Sequence, residues 1–265
     1  MQFFKTVHRL LTDNSILFFR VVLFFTFTGH GLVSLGFSPG YELHYRIFES
    51  VNFFHLPPER FLQIQGTVDL LFAVLILSGI AGRYVLAIVF FYLLTVATAG
   101  WIFFMKKTGA TFGFAESFRR FAWIFYTVFL WLFYKNGKKY YPLLRYGIAF
   151  AFLAHGLASL GFFGLKGAHI ELASQVLSEE TANKMVFYSG YTDTTLGLLL
   201  IFGFFSRPLI AIGSLWLIVV VCLSFMVAFP DGIFRMGFLL SAVYVAVDER
   251  CHQDFVLTKI KSIAP

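Results

Sequence analysis

Residues 20–31 read RVVLFFTFTGHG, and residues 145–156 read RYGIAFAFLAHG. Arg20 and His30 return as Arg145 and His155, each 125 residues on. Further along, GTVD at 66–69 returns as GYTD at 190–193, which carries Asp69 to Asp193. Arg83 returns as Arg207 with the same shift of 124. These ionisable residues lie in or beside long apolar runs. Hydrocarbon penalises such groups by about 2.5–3.5 kcal/mol each on insertion scales, so their default reading is functional. Finding the same set twice argues for duplication of a working unit rather than accident.

The surrounding composition says where the unit works. Of 265 residues, 58% are hydrophobic and 13% charged, and the mean hydropathy is +0.78. A soluble domain carries about 25% charged residues, and a soluble core could not absorb this much apolar sequence, so the chain reads as an integral membrane protein. The 37 Phe suit lipid-facing and interhelical packing. The net charge of +7 fits interfacial Lys and Arg. With no basic soluble module, nucleic acid is excluded as a partner. Two cysteines, Cys222 and Cys251, form no CxxC, so thiol relay and iron–sulfur binding lack their ligands. No phosphate loop, dinucleotide fingerprint or serine-nucleophile motif occurs. The N-terminal MQFFKTVHRLLTDN lacks the apolar run and cleavage site of a signal peptide, and reads as an interfacial amphipathic helix over 1–14.

Eight apolar segments approach the roughly 20 residues a span needs. They lie near 15–37, 62–81, 84–105, 118–134, 143–163, 185–205, 208–229 and 233–248, the fourth and eighth being short. The expected fold is all-α integral membrane, with eight transmembrane helices as two parallel-repeat four-helix bundles. The basic linker KNGKKYYP at 135–142 separates a first repeat over 15–134 from a second over 143–248, and a tail runs over 249–265. Two longer loops, 38–61 and 164–184, follow the first helix of each half. YELHYRIFESVNFF in the first and HIELASQVLSEETANK in the second read as short helices that could cover a site. The short basic linker tips the orientation towards cytoplasmic termini.

Depth arithmetic brings the polar residues together. His30 lies six residues before Gly36, about 9 Å below the outer surface, and Asp69 lies seven after Leu62, about 10 Å deep. They share a level and can pair, as can His155 and Asp193. Glu116 and Arg120 open the fourth helix from the same side at i,i+4 spacing, and Asp231 and Arg235 open the eighth likewise, 115 residues on. Arg20 and Arg145 lie nearer the opposite face, to snorkel or to hold a buried carbonyl. Such pairs also serve simply to hold a bundle together in lipid. Histidine suits proton transfer near neutral pH, so His30 and His155, oriented by Asp69 and Asp193, are the candidate catalytic residues. Arg120, Arg235, Glu116 and Asp231 are the candidate cofactor-binding residues. A quinone is the expected cofactor, because a His–Asp pair can accept the protons a quinol releases. A haem held between His30 and His155 is the alternative, since the two occupy equivalent positions. His44 and His169 read as ordinary loop residues without metal-ligand spacing.

The pattern resembles the DoxX/DoxD-like membrane protein superfamily. The resemblance rests on Arg20, His30 and Gly31 in the first helix, Gly66 and Asp69 opening the second, and Gly79 and Arg83 closing it. The second half matches at Arg145, His155, Gly156, Gly190, Asp193, Gly203 and Arg207. It implies a four-helix unit, here a fused tandem pair, and a bacterial inner membrane. It also implies a link to quinone-coupled oxidation, because one branch is the membrane subunit of thiosulfate:quinone oxidoreductase. A redox or membrane complex would then supply a protein partner. Other branches look like chaperones, cargo receptors or accessory proteins, so a non-enzymatic scaffold, lipid-binding module or carrier stands beside the redox reading.

Overall fold

The structure is a computed structural model, and it describes residues 13–51, 55–80, 82–108, 114–137, 139–162, 166–203 and 206–252. The expected interfacial helix over 1–14 and the tail after His252 lie almost wholly outside the described residues. Ten α-helices are described: α1 Ser15–Ser34, α2 Tyr41–Val51, α3 Pro58–Ser78, α4 Gly82–Thr108, α5 Phe114–Asn136, α6 Pro142–Ser159, α7 Lys166–Ser174, α8 Glu179–Phe202, α9 Ser206–Val227 and α10 Phe229–Val247. A short 3-10 turn, Glu249–His252, follows, and no strand occurs among the described residues.

The helix ends have local causes. Pro58, Pro142 and Pro230 sit in first turns, where a missing N–H costs nothing. Ser178 caps α8 by accepting a hydrogen bond from the Thr181 amide. Helices α3 and α8 both end on a left-handed glycine, Gly79 at φ 80° and Gly203 at φ 77°, a conformation that a side chain would strain.

Among the described residues, six helices are long and apolar enough to cross a membrane: α1, α3, α4 over Gly82–Phe103, α8, α9 and α10. This fits an integral membrane protein in a lipid bilayer. Helices α4 and α9 turn Ile88, Phe91, Leu215 and Val219 outwards, an apolar surface too broad for water. The fourth apolar segment extends at both ends, into the 23-residue α5, and the eighth extends at its start, into the 19-residue α10. The expected fifth span is α6, whose 18 residues include Arg145 and His155. Neither α5 nor α6 is among the six.

Contacts recur in pairs. Helix α1 packs on α3 as α6 packs on α8, and α4 packs on α5 as α9 packs on α10. The first helix of each half then packs chiefly on the last helix of the other, α1 on α10 and α6 on α5. Small residues let these backbones approach: a Cβ added to Gly237 would lie 3.0 Å from the Val22 carbonyl oxygen, and one on Gly147 would lie 3.2 Å from that of Ala122. The halves therefore interlock around a shared core of Phe19, Tyr126, Phe129 and Tyr244.

Arg20 takes the second of the roles open to it. Its Nε donates to the Ile76 carbonyl at 2.8 Å and its Nη2 to that of Leu77, so it closes the last turn of α3. Charge-assisted bonds contribute about 1.5–3 kcal/mol each. Arg20→Ala is expected to lower unfolding stability in detergent by about 2–3 kcal/mol. Arg20→Lys, which cannot fork across two carbonyls, should lose about half of that. Equal losses in the two variants would count against the bridge. Arg83 and Arg207 sit at helix starts facing outwards, Arg83 on the Tyr84 hydroxyl at 2.7 Å and Arg207 on Glu249 at 2.6 Å.

Candidate functional site

Four helices of the first half converge at one end. His30 and Ser34 are four residues apart on α1 and share a face, as do Gln65 and Asp69 on α3. His30 Nδ1 lies 2.6 Å from Asp69 Oδ2, the pairing that the depth arithmetic expects, and both residues are buried. From α4, the Tyr92 hydroxyl donates to the other carboxylate oxygen, Oδ1, at 2.6 Å. From α5, Arg120 Nη2 lies 3.3 Å from His30 Nε2, and its guanidinium lies over the Trp123 ring. Arginine only donates, so Nε2 is the acceptor and Nδ1 carries the proton given to Asp69.

The short helix α2 lies across this group. Its His44 ring sits 4.8 Å from that of His30, and Ser34 Oγ lies 3.2 Å from His44 Nδ1. Burial beneath the lid, then the neighbouring His30 and Arg120, hold the His44 imidazole well below the ordinary histidine range. It is therefore neutral at physiological pH.

The second half repeats the group. His155 Nδ1 lies 2.6 Å from Asp193 Oδ2, and the His155 and His169 rings stack at 4.9 Å. Ser159 Oγ lies 2.9 Å from His169 Nδ1, with α7 as the lid. Two closely packed glycines set each pairing. Added Cβ atoms on Gly31 and on Gly156 would lie 2.9 and 2.8 Å from the carbonyl oxygens of Gly66 and Gly190. That close approach of α1 to α3, and of α6 to α8, brings histidine and aspartate within reach.

The copies differ in openness. The His30 side chain is 4% exposed and that of His155 35%. The first cavity, bounded by His30, His44, Phe48, Gln65, Val96 and Arg120, holds about 20 Å³, room for about one water. Beside His155, His169, Asp193, Trp216 and Arg235 lies a cavity of about 100 Å³, with one of about 80 Å³ adjoining it.

Arg235 lines the second cavity, and its Nη1 lies 3.2 Å from Asp231 Oδ1. Asp231 also accepts from Ser38, in the loop after α1, and so ties the two halves. Glu116 lies on α5, but its side chain is outside the described residues. His30 and His155 each use Nδ1 within their own half. The nitrogen His30 would offer to iron faces a guanidinium, which does not fit a haem ligand. No group of three or more His, Cys, Asp or Glu placed to hold a metal occurs among the described residues.

His44 and His169, read from sequence as unremarkable, belong to the site, as do Ser34 and Ser159. The signal was present: both pairs obey the 125-residue shift of His30 and His155. Tyr92 and its counterpart Trp216 obey the 124-residue shift. No protein-family model, curated protein or solved structure matches this chain.

Proposed function

We propose that this chain is a tandem-duplicated, DoxX/DoxD-like membrane protein that acts as a quinone-associated redox subunit. In this reading eight spans form two parallel four-helix repeats about an axis along the membrane normal. Support comes from the paired helix contacts and from one hydrogen bond. The Tyr126 hydroxyl donates to Ser241 Oγ at 2.9 Å, between positions 115 residues apart, the shift that relates Arg120 to Arg235. Contact between equivalent positions is what a twofold relation produces. The basic linker favours cytoplasmic termini in a bacterial inner membrane, with the sites towards the outer leaflet.

The observation that carries the functional reading is the duplicated carboxylate–histidine pair beneath a histidine-bearing lid. Asp193 fixes the proton of His155 on Nδ1 and leaves Nε2 to exchange protons with a ligand. Arg235 supplies positive charge for an anionic form of that ligand. Reduction of a quinone to its hydroquinone consumes two protons and two electrons. The histidine would pass the protons, and a redox partner protein would supply the electrons.

The test is an oxidised-minus-reduced visible spectrum of the detergent-purified chain, followed by solvent extraction of bound small molecules. The expected result is a quinone without a haem band, with proton-coupled turnover lost in His155→Gln while assembly with the partner is kept. A blank spectrum with ordinary phospholipid alone would overturn the redox reading in favour of a non-enzymatic scaffold or accessory subunit. The sealed first site, with every polar group on Asp69 already satisfied, is what favours that second reading.

A further inference from the structure

The two copies line their cavities with corresponding residues, and three of the exchanges between them open space in the second. The 125-residue shift takes Phe48 to Ala173, the 124-residue shift takes Gln65 to Ser189, and the 115-residue shift takes Trp123 to Phe238. Each exchange removes volume. The second copy is accordingly roomier: the cavity whose lining corresponds to that of the 20 Å³ one, and which Ala173 and Ser189 line, holds about 80 Å³, and the 100 Å³ cavity, lined by Phe238, adjoins it.

The two carboxylates differ in the same direction. In the first half both oxygens of Asp69 are engaged, one by His30 and the other by the hydroxyl of Tyr92. In the second half Trp216 stands where Tyr92 does and brings no hydroxyl. Asp193, 2% exposed, keeps its bond to His155 through Oδ2, but Oδ1 has no hydrogen-bond partner among the described residues. Trp216 Nε1 is also buried without an acceptor there. An unmet buried acceptor and an unmet buried donor cost about 1–3 kcal/mol each. Both residues line the 100 Å³ cavity.

We propose that the second half alone is a ligand-binding site, and that its ligand is an amphiphile with an aromatic hydroxyl head. The first half displays the chemistry: a phenol hydroxyl, that of Tyr92, satisfies the carboxylate oxygen that is bare in the second. A phenolic oxygen both donates and accepts, which matches the orphan acceptor of Asp193 and the orphan donor of Trp216. Apart from His155, His169 and Arg235, the remaining wall, including Ile148, Phe152 and Leu217, is apolar and suits a ring and alkyl tail. The first half is the same site already filled by its own Tyr92, Phe48 and Trp123. The inference takes its site from the proposed function but does not require the ligand to be redox-active.

The test is binding of 4-hexylphenol, which forms no para-quinone, to the full chain in lipid nanodiscs. Its methyl ether, which lacks the hydroxyl donor, is the control. The expected result is one phenol per chain and at least tenfold weaker binding of the ether. The variant Phe238→Trp, which imports the first half's filler into the 100 Å³ cavity without touching Asp193, should also lose at least tenfold. Two phenols per chain, equal binding of phenol and ether, or full affinity in a folded filled variant would each overturn the proposal. If that variant does not fold, stoichiometry and the ether comparison still decide. A decyl benzohydroquinone that competes for the single site identifies a quinol as the natural source. Phenol binding without such competition would leave this inference standing and remove the quinone reading.

Discussion

Asp69→Ala is expected to lower unfolding stability by about 3–5 kcal/mol, the usual loss when one partner of a buried polar pair is removed. Asp193→Ala, the equivalent change 124 residues on, is expected to cost only about 1 kcal/mol. The chemistry is the same and the surroundings are not. Asp69 is fully buried and accepts from both His30 and Tyr92, so its loss strands two donors that no water reaches. Asp193 accepts from His155 alone among the described residues, and the His155 side chain is one-third exposed and can turn to water. The deletion also removes the unpartnered Oδ1. Thermal unfolding of the two variants in one detergent, beside wild type, measures the difference. Equal losses would mean that the halves are energetically alike and that the second cavity is not a relaxed version of the first.

Gly66→Val is expected to abolish monodisperse expression. A Cβ at Gly66 would lie 2.8 Å from the Gly31 carbonyl oxygen and 2.6 Å from Leu35 Cγ. The oxygen belongs to a helix backbone, which cannot turn aside as a side chain can. Overpacking in cores costs about 1–3 kcal/mol when side chains adjust, and here the loss exceeds that range because α1 must move away from α3. The movement would also open the 2.6 Å His30–Asp69 contact, so two stabilising features fail together. Gly167→Ala is the control: no atom lies within 4 Å of the added carbon, and alanine is the better helix former. Size-exclusion profiles after detergent extraction report the outcome. A Gly66→Val protein that elutes like wild type would mean that the two helices do not approach as closely as described.

Much of the site was legible because membrane burial makes charge conspicuous. His30, Asp69, His155 and Asp193 stood out as ionisable residues in apolar runs, and helical rise placed each pair at one depth. The 3.6-residue period, however, relates residues within a helix and says nothing about what lies over it. His44 and His169 sit on short lids, where a histidine is unremarkable by composition, so only the repeated 125-residue spacing could have marked them. The i,i+4 spacing that joins Arg120 to Glu116 is visible in a sequence, but it says nothing of His30, 90 residues away, which helix packing brings beside Arg120.

The sequence by itself determined the helical class, the spaced recurrence of its polar residues, the apolar helices and the identity of the paired histidines and aspartates. All of these follow from hydropathy, periodicity and spacing, which are local or repeat along the chain. Only the tertiary structure decided that the halves interlock, that lids bring a second histidine onto each pair, and that one copy is sealed while the other is open. Those outcomes depend on side-chain volumes meeting across helices, Phe48 against Ala173 and Gln65 against Ser189. They depend as well on whether a hydroxyl from α4 or an indole from α9 faces the carboxylate. Such differences become cavities and unmet hydrogen bonds only when the helices are brought together in three dimensions.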